Sequence, residues 1–316
     1  MSDKQLLPDF LIIGAGKSGT TSLDNYLKQH PGLFFSKVKE PNFFAYDNVS
    51  TDKMDKYVLR HYKQSVTNLT DYQELFKEAK ADQLKGETSN TYLTVEHAAE
   101  RIKHYIPDVK LIAILRQPTE RLYSRYLHLA RDKRLPSENF NDVLDRNSIW
   151  WQRNDLVKEG FYYKNLSRYY ELFPHENIRV YLNDDLRKDS LALMKDIFNF
   201  LGVEPLKTIN DSVKYNKSGI IKNRFYDRTL GHNSVFKVMI KKMAPTTIYN
   251  KAKENIWLQK MVNNLQNRNL EQPKLSPALH DQITNEIYQE DITQLGTMLN
   301  RDLSHWLTPK SAGVRA

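Results

Sequence analysis

Cysteine is absent from the 316 residues, which excludes a disulfide scaffold, a Cys-ligated zinc site, an iron–sulfur cluster and a thiol nucleophile. Glycine and proline are scarce, at 11 and 12 residues, so the chain is neither collagen-like nor of low complexity. No apolar run approaches the roughly 18 residues of a membrane span. The start, Met1-Ser2-Asp3-Lys4-Gln5, shows no charged segment ahead of an apolar one. These absences predict no stable membrane insertion and a cytoplasmic chain, soluble where it is made. The nine histidines form no convincing ligand cluster, so no metal is expected. Asp184-Asp185 follows a strand pattern and reads as a turn with helix capping rather than a metal site.

What is present is an alternation of short apolar runs with amphipathic helical patterns. Phe10-Leu11-Ile12-Ile13, Lys110 to Leu115 and Ile178 to Leu182 read as buried strands. A helix is predicted after Gly19, ended by Pro31-Gly32, and another opens at Pro118, where proline suits the first helical turn. Leu191, Met194, Ile197, Phe198 and Leu201 share one face of a helix stopped by Gly202, and a last long helix is expected over about Ala278 to Asn300. The pattern predicts an α/β fold, a central parallel sheet flanked by helices in three layers. Residues 40–75 and 130–160 are irregular, aromatic and charged, and are expected to be substrate-side insertions rather than core.

Charge is uneven. The chain has 47 Lys and Arg against 38 Asp and Glu, a net +9. Lys214, Lys217, Lys222, Arg224, Arg228, Lys237, Lys241 and Lys242 face Asp227 alone, so this stretch carries +7 of that total. Such a concentration suits a polyanion or a multiply charged cofactor.

The segment Phe10-Leu-Ile-Ile-Gly-Ala-Gly-Lys-Ser-Gly-Thr-Thr-Ser22 runs from strand through glycine-rich turn into helix. That order aims backbone N–H groups and the positive end of a helix dipole at one point, which suits an anion. Lys17 adds a full charge, and Ser18, Thr20, Thr21 and Ser22 add hydroxyls. The loop departs from the Walker A pattern, which needs Gly where Leu11 stands, and from GxGxxG.

Lys17-Ser18-Gly19-Thr20-Thr21-Ser22 resembles the 5′-phosphosulfate loop of sulfotransferases that use 3′-phosphoadenosine 5′-phosphosulfate (PAPS). Leu115-Arg116-Gln117-Pro118 through Ser124-Arg125-Tyr126 resembles their 3′-phosphate motif, with Arg116 and Ser124 at the matching positions. Tyr215-Asn216-Lys217-Ser218-Gly219, with Lys222 and Arg224, resembles the loop that closes over the nucleotide in bacterial carbohydrate-type members. Lys39-Glu40-Pro41-Asn42-Phe43-Phe44 resembles a segment of the heparan sulfate N- and 3-O-sulfotransferases in which the Glu is the base.

The resemblance spans about residues 8–308 of a single domain covering 1–316, and implies a P-loop-like fold. It implies PAPS as donor, adenosine 3′,5′-bisphosphate as product and no metal. Cofactor contacts would fall on Lys17, Ser18, Gly19, Thr20, Thr21, Ser22, Arg116, Ser124, Ser218, Gly219, Lys222 and Arg224. Glu40 would be the base, with Lys17 and Lys39 stabilising charge. Gly86-Glu87-Thr88-Ser89-Asn90-Thr91-Tyr92 resembles a Glu-Lys-Thr-Pro-x-Tyr stretch of the same relatives, with Thr88 in place of the Lys and Asn90 in place of the Pro. Glu87 becomes a lesser candidate for base or acceptor binding, and Tyr92 and Trp150 are weaker substrate-binding candidates. The implied acceptor is a hydroxyl of a saccharide or glycolipid, and the oligomeric state stays open. Two other readings are a nucleotide-dependent kinase with an atypical P-loop and a non-catalytic, basic nucleic-acid-binding protein. Against the latter, the cations sit in one region and no nucleic-acid module is recognisable.

Overall fold

The computed structural model describes residues 6–52, 54, 56–211, 219–221, 270–271 and 273–309. The chain divides into two compact units, one of residues 1–122, 141–211 and 277–316, the other of residues 123–140 and 212–276.

The first unit is built on a five-stranded parallel sheet: β1 (Phe10–Gly14), β2 (Leu33–Phe35), β3 (Leu84–Thr88), β4 (Lys110–Leu115) and β5 (Ile178–Leu182), in the order β2-β3-β1-β4-β5. β1 is central and buried at every residue, as its unbroken apolar sequence requires. Helix α1 (Thr20–Leu27) follows the turn after β1 and packs Leu23, Tyr26 and Leu27 into the main core with Phe10, Ile12, Ile112 and Ile114. The helix Ser190–Leu201 adds Leu193, Met194, Ile197, Phe198 and Leu201, and ends at Gly202 in the left-handed region. Leu193 takes an inward place there, while Leu191 is half-buried. The helix Pro118–Arg131 starts on its proline. Among the described residues no helix is long and apolar enough to cross a membrane.

Because the chain runs β1 to β3 on one side of the sheet and β4 to β5 on the other, it reverses direction at β1. The crevice beyond the carboxyl ends of β1 and β4 is where open parallel sheets accept ligands.

Three expectations need correction. Residues 40–75 are not an insertion outside the core: Phe43, Phe44, Tyr46 and Tyr72 are buried. Phe43 stacks on Tyr72 with ring centroids 4.5 Å apart, and Phe44 meets Tyr72 and Tyr92 edge-on at 5.3 and 5.5 Å. Aromatic rings so placed bury large areas and hold one another's orientation. Likewise Phe140, Val143, Trp150, Leu156 and Val157 from 130–160 are buried. The last helix is interrupted: Pro277–Ile283 passes through a π-helical turn, Thr284–Tyr288, into Gln289–Met298. Thr284 Oγ1 bonds back to the His280 carbonyl at 2.8 Å, and Gln117 Nε2 donates to the same hydroxyl at 3.0 Å. A side chain competing for helix carbonyls is a known cause of such irregularity.

In the second unit Tyr123, Tyr126 and Phe140 form a ring cluster with centroids 5.0–5.7 Å apart. β6 (Ile220–Ile221) pairs antiparallel with β7 (Leu270–Glu271).

Candidate active site

The turn after β1 is held from beneath. Ala15 donates its backbone N–H to the Ile114 carbonyl of β4 at 2.9 Å, and Asn183 Nδ2 donates to the Ser18 carbonyl at 2.8 Å from the end of β5. Gly16 donates its N–H to Glu159 Oε1 at 2.6 Å, and the other carboxylate oxygen of Glu159 meets Arg121 Nη1 at 2.7 Å. Arg121 is fully buried and also donates to the Leu156 carbonyl. A buried ion pair thus carries the loop on one side and the helix after β4 on the other. The sequence motifs do not single out Glu159. A signal was available, a Glu directly before Gly-Phe-Tyr, but nothing local says that it meets Gly16, 143 positions away.

Lys17 adopts φ 67° and Gly19, the N-cap of α1, adopts φ 114°. A Cβ at Gly19 would lie 2.9 Å from Asn183 Nδ2, so only glycine fits there. α1 has no acidic residue in its first turn and no side-chain cap, so neither neutralises the positive end of its dipole. Ser18 is fully buried, and its hydroxyl has no hydrogen-bond partner of standard geometry; the Tyr162 hydroxyl beside it donates to the Arg116 carbonyl at 2.8 Å. A buried hydroxyl with unused capacity at a cationic helix terminus fits an anionic phosphosulfate. Thr20 is buried; Thr21 and Ser22 are half-buried.

Arg116 leaves β4 with its guanidinium against Glu120, Nε and Nη2 both donating to Oε2 at 3.2 and 3.0 Å. Its donor fork is therefore preformed but engaged internally. Ser124, which sequence pairs with Arg116, is buried and belongs to the second unit. Gly219 also lies there, where a Cβ would come within 2.7 Å of the Glu271 carbonyl oxygen. Close strand approach explains this glycine without any ligand. Ser218 and all eight cations of the basic stretch Lys214–Lys242, Lys222 and Arg224 among them, lie outside the described residues.

The Lys39–Glu40 segment reaches the loop. Lys39 Nζ donates to Thr21 Oγ1 at 2.7 Å, so two motifs separated by 18 positions meet on the first turn of α1. Glu40 and Asn42 both take the left-handed conformation, φ 55°. Neither is glycine, so the surrounding structure must hold this strain. It does so with the end of β3. Glu40 N–H donates to the Thr88 carbonyl at 3.0 Å, and Asn42 N–H to Ser89 Oγ at 3.0 Å. Asn42 Nδ2 donates to the Glu40 carbonyl at 2.7 Å, and Thr91 Oγ1 to Asn42 Oδ1 at 2.6 Å. Finally Asn90 Nδ2 donates to Glu40 Oε1 at 2.9 Å.

The two carboxylates of this region have opposite settings. Glu40 is half-buried and keeps one oxygen beyond its contact with Asn90. Glu87 is 1% exposed, and its oxygens accept from Tyr92 OH at 2.6 Å, Tyr72 OH at 3.1 Å and Ser89 Oγ at 2.8 Å. Burial pushes its pKa up to about 7, against the pull of those three donors and aided by the charge of Glu40. Three candidates for direct acceptor contact are corrected by burial. Glu87 is enclosed by its own donors, Tyr92 is fully buried with its hydroxyl on Glu87, and Trp150 is fully buried and presents no ring face to a substrate. Thr88 Oγ1, at the resembling Lys position, donates to buried Asp24 at 2.9 Å, and Asp24 pairs with Lys28 at 2.7 Å. Asp184 and Asp185 accept from Trp306 Nε1 at 3.0 Å and Arg301 Nη2 at 2.6 Å, tying down the C-terminal segment.

Residues 7–241 match the family described as "Sulfotransferase domain". The chain is 25% identical over 241 residues to a bifunctional heparan sulfate N-deacetylase/N-sulfotransferase of Drosophila melanogaster, covering 70% of this chain and 22% of that protein. It is 24% identical over 275 residues to carbohydrate sulfotransferase 15 of Mus musculus, covering 71% of this chain and 49% of that protein. The first of these alignments thus spans less than a quarter of the relative's length. A solved sulfotransferase structure from Alicyclobacillus acidocaldarius superposes with a TM-score of 0.67 over 96% of this chain and 99% of that one, at 24% identity. That likeness supports the architecture.

Proposed function

The chain belongs to the sulfotransferase domain family, and from that premise we propose that it transfers a sulfuryl group from PAPS to a saccharide hydroxyl, with Glu40 as base. The observation that carries the reading is the contact of Lys39 with Thr21, which brings the Glu40 segment onto the anion-binding turn. The saccharide acceptor is supported by the relatives, a heparan sulfate N-sulfotransferase and a carbohydrate sulfotransferase among them; the hydroxyl is our own reading.

When bound, PAPS supplies an activated sulfuryl group on a phosphate leaving group. The turn after β1 binds the phosphosulfate with backbone N–H groups, the hydroxyls of Ser18, Thr20, Thr21 and Ser22, and the Lys17 ammonium. Lys17 balances the charge that builds on the leaving oxygen, and Lys39 sits one hydroxyl away to neutralise sulfuryl oxygens. Arg116 would take the 3′-phosphate by exchanging Glu120 for it; roles for Ser124, Ser218, Gly219, Lys222 and Arg224 rest on the motif resemblance alone. Glu40 accepts the proton of the acceptor hydroxyl on its carboxylate as the new S–O bond forms and the bond to the 5′-phosphate oxygen breaks.

Thermal unfolding with added nucleotide tests this reading. Adenosine 3′,5′-bisphosphate should raise Tm, whereas ATP with Mg²⁺ and oligonucleotides should not. Stabilisation by ATP–Mg²⁺ alone would favour a kinase, and by oligonucleotides alone a nucleic-acid-binding protein. Arg116→Ala should weaken adenosine 3′,5′-bisphosphate much more than AMP, since only the former carries a 3′-phosphate; equal losses would remove Arg116 from that role. Lys17→Ala should abolish transfer.

A further inference from the structure

We propose that Asn90 is a positioning residue for Glu40, fixing which carboxylate oxygen receives the acceptor proton. The proposal rests on the reading of Glu40 as base. Asn90 Nδ2 donates to Glu40 Oε1 at 2.9 Å, while Asn90 Oδ1 is buried without a hydrogen-bond partner. The direction of the amide is therefore not in question: turned over, it would set a carbonyl oxygen against a carboxylate. The amide thus holds a neighbouring carboxylate while its own oxygen stays unsatisfied, a cost set against whatever stability the bond to Glu40 contributes.

The backbone of both partners is already committed. Glu40 is in the left-handed region, with its N–H on the Thr88 carbonyl and its carbonyl accepting from Asn42 Nδ2. Asn90 opens a short 3₁₀ turn, Asn90–Leu93, directly after β3, and Tyr92 and Leu93 of that turn are buried. What remains adjustable is the rotation of the Glu40 side chain, a flexible one with rotamer entropy to lose. The Asn90 amide removes that freedom and occupies Oε1, so Oε2 is the oxygen directed to the acceptor. General-base catalysis depends steeply on such alignment, and a misplacement of about 1 Å costs up to roughly 100-fold. Thr88 and Ser89 cannot substitute, because their hydroxyls are spent on Asp24 and Glu87.

The test combines crystallography with a mutant cycle. Crystal structures of wild type and Asn90→Ala are compared at the Glu40 side chain. Turnover is followed as release of adenosine 3′,5′-bisphosphate from PAPS, with a desulfated glycosaminoglycan as acceptor. In Asn90→Ala the Glu40 carboxylate should leave its wild-type position or spread over several rotamers. Its kcat should fall roughly 10- to 100-fold, with affinity for adenosine 3′,5′-bisphosphate within about twofold. Asn90→Gln, which keeps the amide donor, should recover part of that loss. Added to Glu40→Gln, Asn90→Ala should cost nothing further, since its effect passes through the carboxylate. An unmoved Glu40 in the Asn90→Ala crystal overturns the proposal even if no turnover can be measured. So does a full additional loss in the Glu40→Gln background. If Glu40→Gln alone keeps wild-type turnover, the base assignment fails; if Glu40→Gln is inactive while Asn90→Ala is normal, the base stands and the positioning role falls.

Discussion

The two sides of the site are made of different materials. The turn after β1 is made of backbone N–H groups, a helix terminus and Lys17, with its acidic support, Glu159, neutralised by fully buried Arg121. The facing segment is made of side chains: Glu40 and Asn42 in strained conformations, stitched to β3 and the turn after it by Ser89, Asn90 and Thr91. An anion needs fixed dipoles that do not change during the reaction, and backbone supplies them. A base must change protonation state, and only a side chain can. On the proposed roles, the comparison teaches that the turn after β1 tolerates little change in chain geometry, whereas the Glu40 segment depends on a few hydrogen bonds.

The sharpest way to break that contrast lies on the Glu40 side. Glu40→Gln keeps size and the contact to Asn90 in altered form but cannot accept the proton. Turnover should fall by roughly 10²–10⁴, the usual worth of a positioned base, with affinity for adenosine 3′,5′-bisphosphate nearly unchanged in a binding titration. Glu87→Gln, in the same assay, should stay within a few-fold of wild type, because Glu87 faces Tyr72, Tyr92 and Ser89 rather than the acceptor. The reverse result would make Glu87 the base.

Next in size is the support under the turn after β1. Glu159→Ala leaves the Arg121 guanidinium buried and unpaired and frees the Gly16 N–H, which should cost roughly 3–5 kcal/mol by denaturant unfolding. Because the loop loses its anchor, nucleotide affinity should fall as well. If stability drops and affinity does not, Glu159 only packs the interior and the loop is held by Ala15, Asn183 and their partners.

The smallest effect sharpens the comparison through pH. The Glu87 pKa is raised to about 7 by burial, so the folded state holds its proton more tightly than the unfolded chain does. The associated stability is complete below the ordinary carboxylate range and is lost as pH rises through about 7, a span worth at most roughly 3 kcal/mol. Asp291, raised to about 6 by burial while it accepts from the Tyr163 and Lys164 N–H groups at 3.0 and 3.2 Å, acts in the same sense. Tm of Glu87→Gln should therefore decline less than that of wild type between pH 5 and 8. Parallel Tm profiles would mean that Glu87 titrates alike in both states.

The turn after β1, the strands β1, β4 and β5, the helix from Pro118 and the helix ended by Gly202 were all legible in order, because each carries a local signal: an apolar run, a glycine cluster, a proline or a single buried face. β2 and β3 were not. β2 has three residues, and β3 reads Leu-Lys-Gly-Glu-Thr, with polar residues that are buried or paired only because partners come from elsewhere. Lys85 meets Asp9, and Glu87 meets two tyrosines. The aromatic stretch around Phe43 looked like substrate-side loop for a similar reason: hydrophobicity without period says that a segment is buried somewhere, not against what.

Sequence alone determined the glycine-rich turn after β1 and the parallel α/β class, which depend on residue type and near-neighbour order, and its motif resemblance nominated Glu40, Lys17 and Arg116. Tertiary structure alone decided which of two carboxylates stays reachable, that Trp150 and Tyr92 are interior, that Glu159 and Arg121 underlie the loop, and that Asn90 holds Glu40. Exposure and hydrogen-bond partners are set by groups tens of residues away, and a chain read one neighbourhood at a time carries no record of them.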